Sequence, residues 1–170
     1  MGLGPRLNQV KPSAGPAPPM RIESRIGVQA PAESIWTLLG DVATWPEWNP
    51  IYPKAAGSLR IGGRLELTLA LPGEVQREIE PKVIDWVPNE QILWSDVTWG
   101  GWVKTLRFIE IEEIDAGSCI VANGELFEGF VARRYGRRHR WAMKTGYAAM
   151  SEALKIHAER LWRDDPSGAK

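Results

Sequence analysis

Hydrophobic and polar positions alternate with a period of two from Met20 to Gln29. Ile22, Ser24, Ile26 and Val28 oppose Arg21, Glu23 and Arg25, the pattern of a half-buried strand. Pro31 then stands where a first helical turn tolerates it, and Ile35, Trp36, Leu38 and Leu39 give a short helix an apolar face that Gly40 ends. Asp41 is placed to cap a second short helix through Trp45, stopped by the stiff run Trp45, Pro46, Glu47, Trp48, Asn49, Pro50. Beyond it the period returns to two. Leu65, Leu67, Leu69 and Leu71 share one face of the segment from Arg64 to Leu71. Pro72-Gly73, Pro88-Asn89, Gly100-Gly101 and Ala116-Gly117 then mark turns before strands over 75–87, 91–97, 102–114 and 118–127. Six or seven antiparallel strands joined by hairpins are expected.

The period changes to 3.6 in the last segment. From about Val131 to Trp162 there is no proline, and Tyr135, His139, Ala142, Met143, Gly146, Ala149, Met150, Ala153, Leu154, His157 and Leu161 fall on one helical stripe. Ala, Gly, His and Met occupy places where a filled interior favours Leu, Ile and Phe. That composition predicts a helix roofing a cavity, and therefore an apolar guest. The order strand, two short helices, meander and long helix predicts an α+β domain, in which a curved sheet buries its face on the only long helix available.

Composition narrows the function without naming it. A chain of 170 residues suits one domain with a substantial core. Its 21 basic and 21 acidic residues cancel, so no global field draws it to nucleic acid or anionic lipid. The lone Cys119 has neither a disulfide partner nor metal-ligand spacing around it, reads as a buried strand residue, and fits a reducing compartment. No run approaches a membrane span and the first residues lack a signal-peptide layout, so a cytoplasmic protein is expected. Residues 1–19, rich in Gly and Pro, are expected to form a disordered leader, with the folded domain over 20–163 and a flexible tail over 164–170. Phosphate loops, nucleotide fingerprints, nucleophile elbows and zinc spacings are absent from the sequence, and no cofactor or metal is expected.

Four local words in this order resemble the SRPBCC superfamily, the helix-grip fold of StAR-related lipid transfer (START) domains, birch-pollen-type allergens and polyketide cyclase-like proteins. They are Ile35-Trp36 with Asp41, the loop Trp45-Pro46-Glu47-Trp48-Asn49-Pro50, the closing Glu125-Leu126-Phe127-Glu128-Gly129, and Gly146 through Met150 to Ala153-Leu154-Lys155. Together they span nearly the whole domain. The resemblance implies a sheet wrapped around the C-terminal helix with a pocket between them. It does not imply one reaction, because the superfamily holds carriers, receptors and cyclases. A guest in such a pocket would touch Trp48, Asn49, Trp94, Trp102, Phe108, Asn123, Glu125, Phe127, His139, Met143, Tyr147 and Met150.

Two of these carry candidate chemistry. Val121, Asn123, Glu125 and Phe127 share one face of the last strand, and the family's closing motif implies that this face looks inward. Glu125 could then orient a ligand or move a proton; the plainer alternative is a salt-bridged or rim residue. His139 lies in the buried stripe and could pair with a carboxylate or a ligand hydroxyl. His157 is 18 residues away, roughly 27 Å along a helix, so the two cannot share a metal or act as one acid–base pair, and His157 reads as structural. Trp99 and Trp102 flank Gly100-Gly101 at a hairpin tip, placed to cover a pocket mouth or to meet a second subunit of a homodimer. Arg133, Arg134, Arg137, Arg138 and Arg140 avoid the apolar stripe; a solvated face is the plain reading and an anionic partner the sharper one. The leading expectation is a binder of a small hydrophobic, lipid-like, aromatic or polyketide-like molecule. A cyclase or dehydratase using Glu125 or His139 is the alternative, and a protein-interaction module a weaker third.

Overall fold

Each period-two segment of the sequence becomes a strand, and the long 3.6-period segment becomes the helix that covers them. The computed structural model describes residues 19–165; the leader expected over 1–19 and the tail expected over 164–170 fall almost entirely outside the described residues. Strand β1 (Met20–Val28) leads into helix α1 (Ala32–Gly40), a 3-10 turn (Val42–Thr44) and helix α2 (Trp45–Trp48). Seven strands follow: β2 (Lys54–Gly57), β3 (Leu65–Leu69), β4 (Arg77–Ile79), β5 (Lys82–Val87), β6 (Gln91–Thr98), β7 (Val103–Asp115) and β8 (Ser118–Phe127). Helix α3 (Gly129–Asp164) closes the chain. A five-stranded antiparallel sheet runs in the order β1-β8-β7-β6-β5, beside a three-stranded one, β2-β3-β4. The two are stitched by an isolated bridge between Arg64 and Lys82 and by the Leu65 amide donating to the Pro81 carbonyl at 3.0 Å. This is the α+β, helix-grip architecture.

The eight strands exceed the six or seven expected for two local reasons. Lys54–Gly57 carries no apolar alternation and is mostly exposed, so β2 left no pattern in the sequence. The segment read as one strand over 75–87 is split at Glu80-Pro81, because proline has no N–H to give to a ladder. Asp41 does not cap through its side chain; its carbonyl accepts the Thr44 amide at 3.1 Å and the Thr44 hydroxyl at 2.8 Å.

Helix α3 lies across β1, β8 and β7. Its buried face is formed by Ala132, Tyr135, Gly136, Ala142, Met143, Gly146, Tyr147, Met150, Ser151, Leu154 and Ala158. Ala149 and Leu161 of the expected stripe are exposed, while Tyr147 and Ser151 take inward places. A helix this long follows the twist of the sheet beneath it, so the contact line drifts from an ideal straight stripe. Small residues let the layers approach. A Cβ on Gly146 would come within 2.8 Å of Leu71 Cδ2 and 3.2 Å of Ile51 Cγ2.

Gly124 is the tightest position in the large sheet. A Cβ there would sit 2.5 Å from the Ile22 carbonyl oxygen of β1 and 2.6 Å from Phe108 Cζ of β7, so backbone and ring would both have to move. Gly124→Ala is therefore expected to lower the unfolding free energy by about 1–3 kcal/mol through overpacking, read as a lower urea midpoint at unchanged slope. An unchanged midpoint would show that β1 can slide at no cost.

Cys119 is buried on β8 opposite Glu113 of β7. Burial, with Glu113 and Asp115 adding to it, pushes its thiol up to about 11, the environment of an inert core cysteine.

Candidate functional site: a buried polar core and an open recess

Alternation along β7 turns Val103, Thr105, Arg107, Ile109 and Ile111 toward the helix, and alternation along β8 turns Val121, Asn123, Glu125 and Phe127 the same way. A polar cluster results in the middle of an apolar layer. Arg107 is only 3 % exposed. Its Nη1 donates to the Gly124 carbonyl at 2.7 Å and the Phe108 carbonyl at 2.9 Å, and its Nη2 donates to Asn123 Oδ1. The guanidinium carbon stands 4.1 Å from the centroid of the Tyr147 ring and 5.5 Å from that of Trp94. Asn123 Nδ2 in turn donates to the Tyr147 carbonyl at 2.9 Å and the Ser151 hydroxyl at 3.3 Å, tying sheet to helix.

Glu125 lies across the ladder from Arg107 and is equally sequestered. Among the described residues it has no ion pair; its carboxylate accepts the Thr105 hydroxyl and the Tyr147 hydroxyl. It is neither a rim residue nor a direct salt bridge. Its neighbourhood resists further negative charge. Burial first, and then the nearby Glu125 carboxylate, hold the Tyr147 phenol well above its ordinary range, with Arg107 opposing. Burial likewise raises Tyr52, again against Arg107.

Trp45, Tyr52, Trp94 and Tyr147, all essentially inaccessible, gather around Arg107, with Trp45 stacked on Tyr52 at 5.6 Å and tilted against Trp94 at 6.2 Å, while Phe127 is buried against Gly136. Aromatic rings and one guanidinium thus take up part of the space where a hollow is expected. Open volume is found toward the N-terminal third of the helix instead. A recess of about 590 Å³ lies between the turn after β3, the ends of β4 and β6, and α3. Leu69, Leu71 and Val75 form its aliphatic side, and Trp99 and Tyr135 its aromatic side. The Trp99 ring stands edge-on to Tyr135 at 5.2 Å, and Tyr135 lies 4.4 Å from the His139 imidazole. His139 Nδ1 is 2.8 Å from Glu74 Oε1, a carboxylate–imidazole pair at the wall. Arg77 reaches Thr98 Oγ1 at 3.0 Å and Asp96 at 3.6 Å. Burial raises the affinity of Asp96 for its proton, partly offset by Arg77. Burial likewise raises Tyr135.

The residues expected to line one pocket are distributed over several places. His139 borders the recess. Trp94, Asn123, Glu125, Tyr147 and Met150 gather around Arg107. Phe127 packs against Gly136, and Met143 is buried on α3. Trp48 at the end of α2 and Asn49 just after it are buried; the Trp48 ring approaches His157 at 6.4 Å and Asn49 Oδ1 accepts the Ile51 amide. His157 also meets the Ala153 carbonyl at 2.8 Å. Phe108 and Trp102 do not join them. Phe108 is on the outer face of β7 under the Arg21 guanidinium, and Trp102, 77 % exposed, borders a surface groove with Leu106 and Leu126.

Sequence reasoning missed Arg107, Glu74 and Arg77. A signal for Arg107 existed: Asn123 and Glu125 on one inward face call for a polar partner on the adjacent strand. Among the described residues no group of acidic, His and Cys side chains is arranged to hold a metal. No helix among them is long and apolar enough to cross a membrane.

A sheet gripping one long helix, with an open recess at one end of it, defines a helix-grip protein. The profile of the family described as polyketide cyclase / dehydrase and lipid transport matches residues 19–159, and the chain belongs to that family. No curated protein matches it in sequence. Among solved structures it is similar to the Zhui aromatase/cyclase from Streptomyces sp. R1128. The two share 19 % identity at a TM-score of 0.69, over 89 % of this chain and 99 % of that one. Norcoclaurine synthase from Thalictrum flavum, solved with dopamine and hydroxybenzaldehyde, matches at 19 % identity and a TM-score of 0.63, over 86 % of this chain and 88 % of its own. A START superfamily protein from Mycobacterium smegmatis matches at 19 % identity and 0.59, over 83 % and 98 %. At these identities the likeness is one of fold.

Proposed function

We propose that the chain binds a small apolar or aromatic molecule in the recess at the N-terminal third of α3. One observation carries the reading: about 590 Å³ of open space is lined by aliphatic Leu69, Leu71 and Val75 and by aromatic Trp99 and Tyr135. That volume suits a molecule of a few rings, whose affinity comes from buried area while a few polar groups set orientation. Glu74 and His139 are those groups. The family's description, which includes lipid transport, is consistent with such a guest. Freshly purified protein is expected to show a carried apolar mass in native mass spectrometry. After delipidation it should bind one equivalent of the uncharged dye N-phenyl-1-naphthylamine. A Val75→Glu variant, altered at an exposed position of the aliphatic wall, should bind the dye severalfold more weakly. Protein that carries nothing and never saturates with the dye would refute the reading.

A second reading is acid–base turnover of a polyketide-like substrate. It is favoured by the Glu74–His139 hydrogen bond, in which a carboxylate orients an imidazole at the wall of the recess. Glu125, the other expected proton carrier, is enclosed by Thr105 and Tyr147 and is a positioning group for the core in this reading. If turnover occurs, His139→Ala should reduce it at least about tenfold while dye affinity stays within a factor of about three. Equal losses of both would make His139 a binding residue only.

A further inference from the structure

Arg133, Arg134, Arg137, Arg138 and Arg140 stand within the first third of α3, at the end where the helix's aligned peptides already place partial positive charge. The first turn of the helix holds no acidic residue to offset them. Among the described residues none of the five makes an ion pair. The chain as a whole is neutral, so this excess is local.

Three of the five are organised. Arg134, Arg137 and Arg138, with Trp99 and Tyr135, surround a second hollow of about 430 Å³. It shares Trp99, Tyr135 and Arg138 with the recess, so the two adjoin. The lining of this second hollow contains three arginines and no carboxylate, whereas Glu74 lines the recess together with Arg77 and Arg138. Trp99 adds an independent sign. Its backbone is held at φ 53°, a left-handed conformation unfavourable for a bulky residue, yet its side chain is 55 % exposed and recovers little by burial. Backbone cost of this kind, of the order of 1–3 kcal/mol, persists where a side chain must be presented in one direction. Here that direction is toward Tyr135 and the arginines.

We infer that the second hollow is an anion subsite: Arg134, Arg137 and Arg138 receive the carboxylate, sulfonate or phosphate head of an amphiphile whose flat apolar body lies in the adjoining recess against Trp99 and Tyr135. Guanidinium forks bind such oxyanions through paired, charge-assisted hydrogen bonds. The inference rests on the recess reading above and adds the charge and polarity of the guest to it.

Two dyes that differ by one sulfonate test it: 8-anilinonaphthalene-1-sulfonate and its uncharged parent N-phenyl-1-naphthylamine. The sulfonate is expected to bind at least about tenfold more tightly at low ionic strength, an advantage that shrinks in about 0.5 M salt. In the double variant Arg134→Gln, Arg137→Gln, whose residues line the second hollow and not the recess, the advantage should largely disappear while the uncharged dye binds within about twofold of the parent protein, which also shows that the fold is intact. Arg140→Gln, which removes a positive charge from the same part of the helix but outside both hollows, should leave it in place. An uncharged dye that binds with no gain from the sulfonate would overturn the subsite and leave the recess reading standing; failure of both dyes would sink both. An equal loss in Arg140→Gln would reduce the effect to a general field and overturn the proposal. So would arginine-dependent co-sedimentation with phosphatidylcholine vesicles containing about 30 % phosphatidylglycerol while the affinity for the free sulfonate dye is unchanged in the double variant, because the arginines would then serve a bilayer surface.

Discussion

Replacing Arg107 with methionine is expected to lower the unfolding free energy by about 3–5 kcal/mol, measured by urea denaturation at neutral pH. Methionine fills much of the same volume but donates nothing. Asn123 Oδ1 and the Gly124 and Phe108 carbonyls would lose their donor, and the buried Glu125 would lose its only close positive neighbour on the facing strand. Arg107→Lys should recover only part of the loss, because a single ammonium cannot reproduce the fork that reaches a side-chain oxygen and two backbone carbonyls at once. A loss below about 1 kcal/mol in the methionine variant would mean that water or a repacked Asn123 satisfies these groups.

The second large effect is alkaline. Tyr52 and Tyr147 are fully buried, and both phenols are held above their ordinary value by burial. Their folded-state affinity for the proton exceeds that in the unfolded chain, so the stability they contribute is complete below about pH 10 and is lost as pH rises through the window between unfolded and folded values. Each such phenol retained as neutral costs up to about 1.4 kcal/mol per pH unit in that window. The two together should contribute a slope approaching about 2.7 kcal/mol per unit above pH 10, added to the loss from the raised Cys119 thiol and Tyr135 phenol. In Tyr147→Phe the slope should fall by up to about 1.4 kcal/mol per unit, even though the variant starts less stable because Glu125 loses one hydroxyl donor. Urea midpoints taken from pH 8 to 11 decide the matter. A flat profile would show that these rings ionise freely and that the layer beneath α3 is open to water.

The architecture was legible because it is written in period. The Leu65 to Leu71 alternation and the proline-free final segment each admit one secondary structure, and their order admits few folds. The polar core was half legible. Parity on the last strand correctly grouped Asn123 with Glu125, but on β7 the usual guide misleads. There the inward positions carry Thr105 and Arg107, and the outward ones carry Leu106 and Phe108. Hydrophobicity read alone therefore assigned Phe108 to the pocket and overlooked Arg107. The recess was the least legible. It is made by residues distant in sequence, Leu69 to Arg77, Thr98 to Trp99 and Tyr135 to His139, and the Glu74–His139 pair spans 65 positions with no local signature. Trp99 and the arginine run were visible as anomalies; only the folded chain brings them beside the same opening.

The cross-linked layer around Arg107 and the two short connections that meet the opening, Pro72 to Val75 and the turn that begins at Trp99, are separate pieces of the chain. Neither connection contributes a strand to the ladder that the guanidinium braces. Sequence change in those two loops can therefore reshape the recess while leaving the braced ladder nearly untouched, so the opening can vary on an unchanged frame.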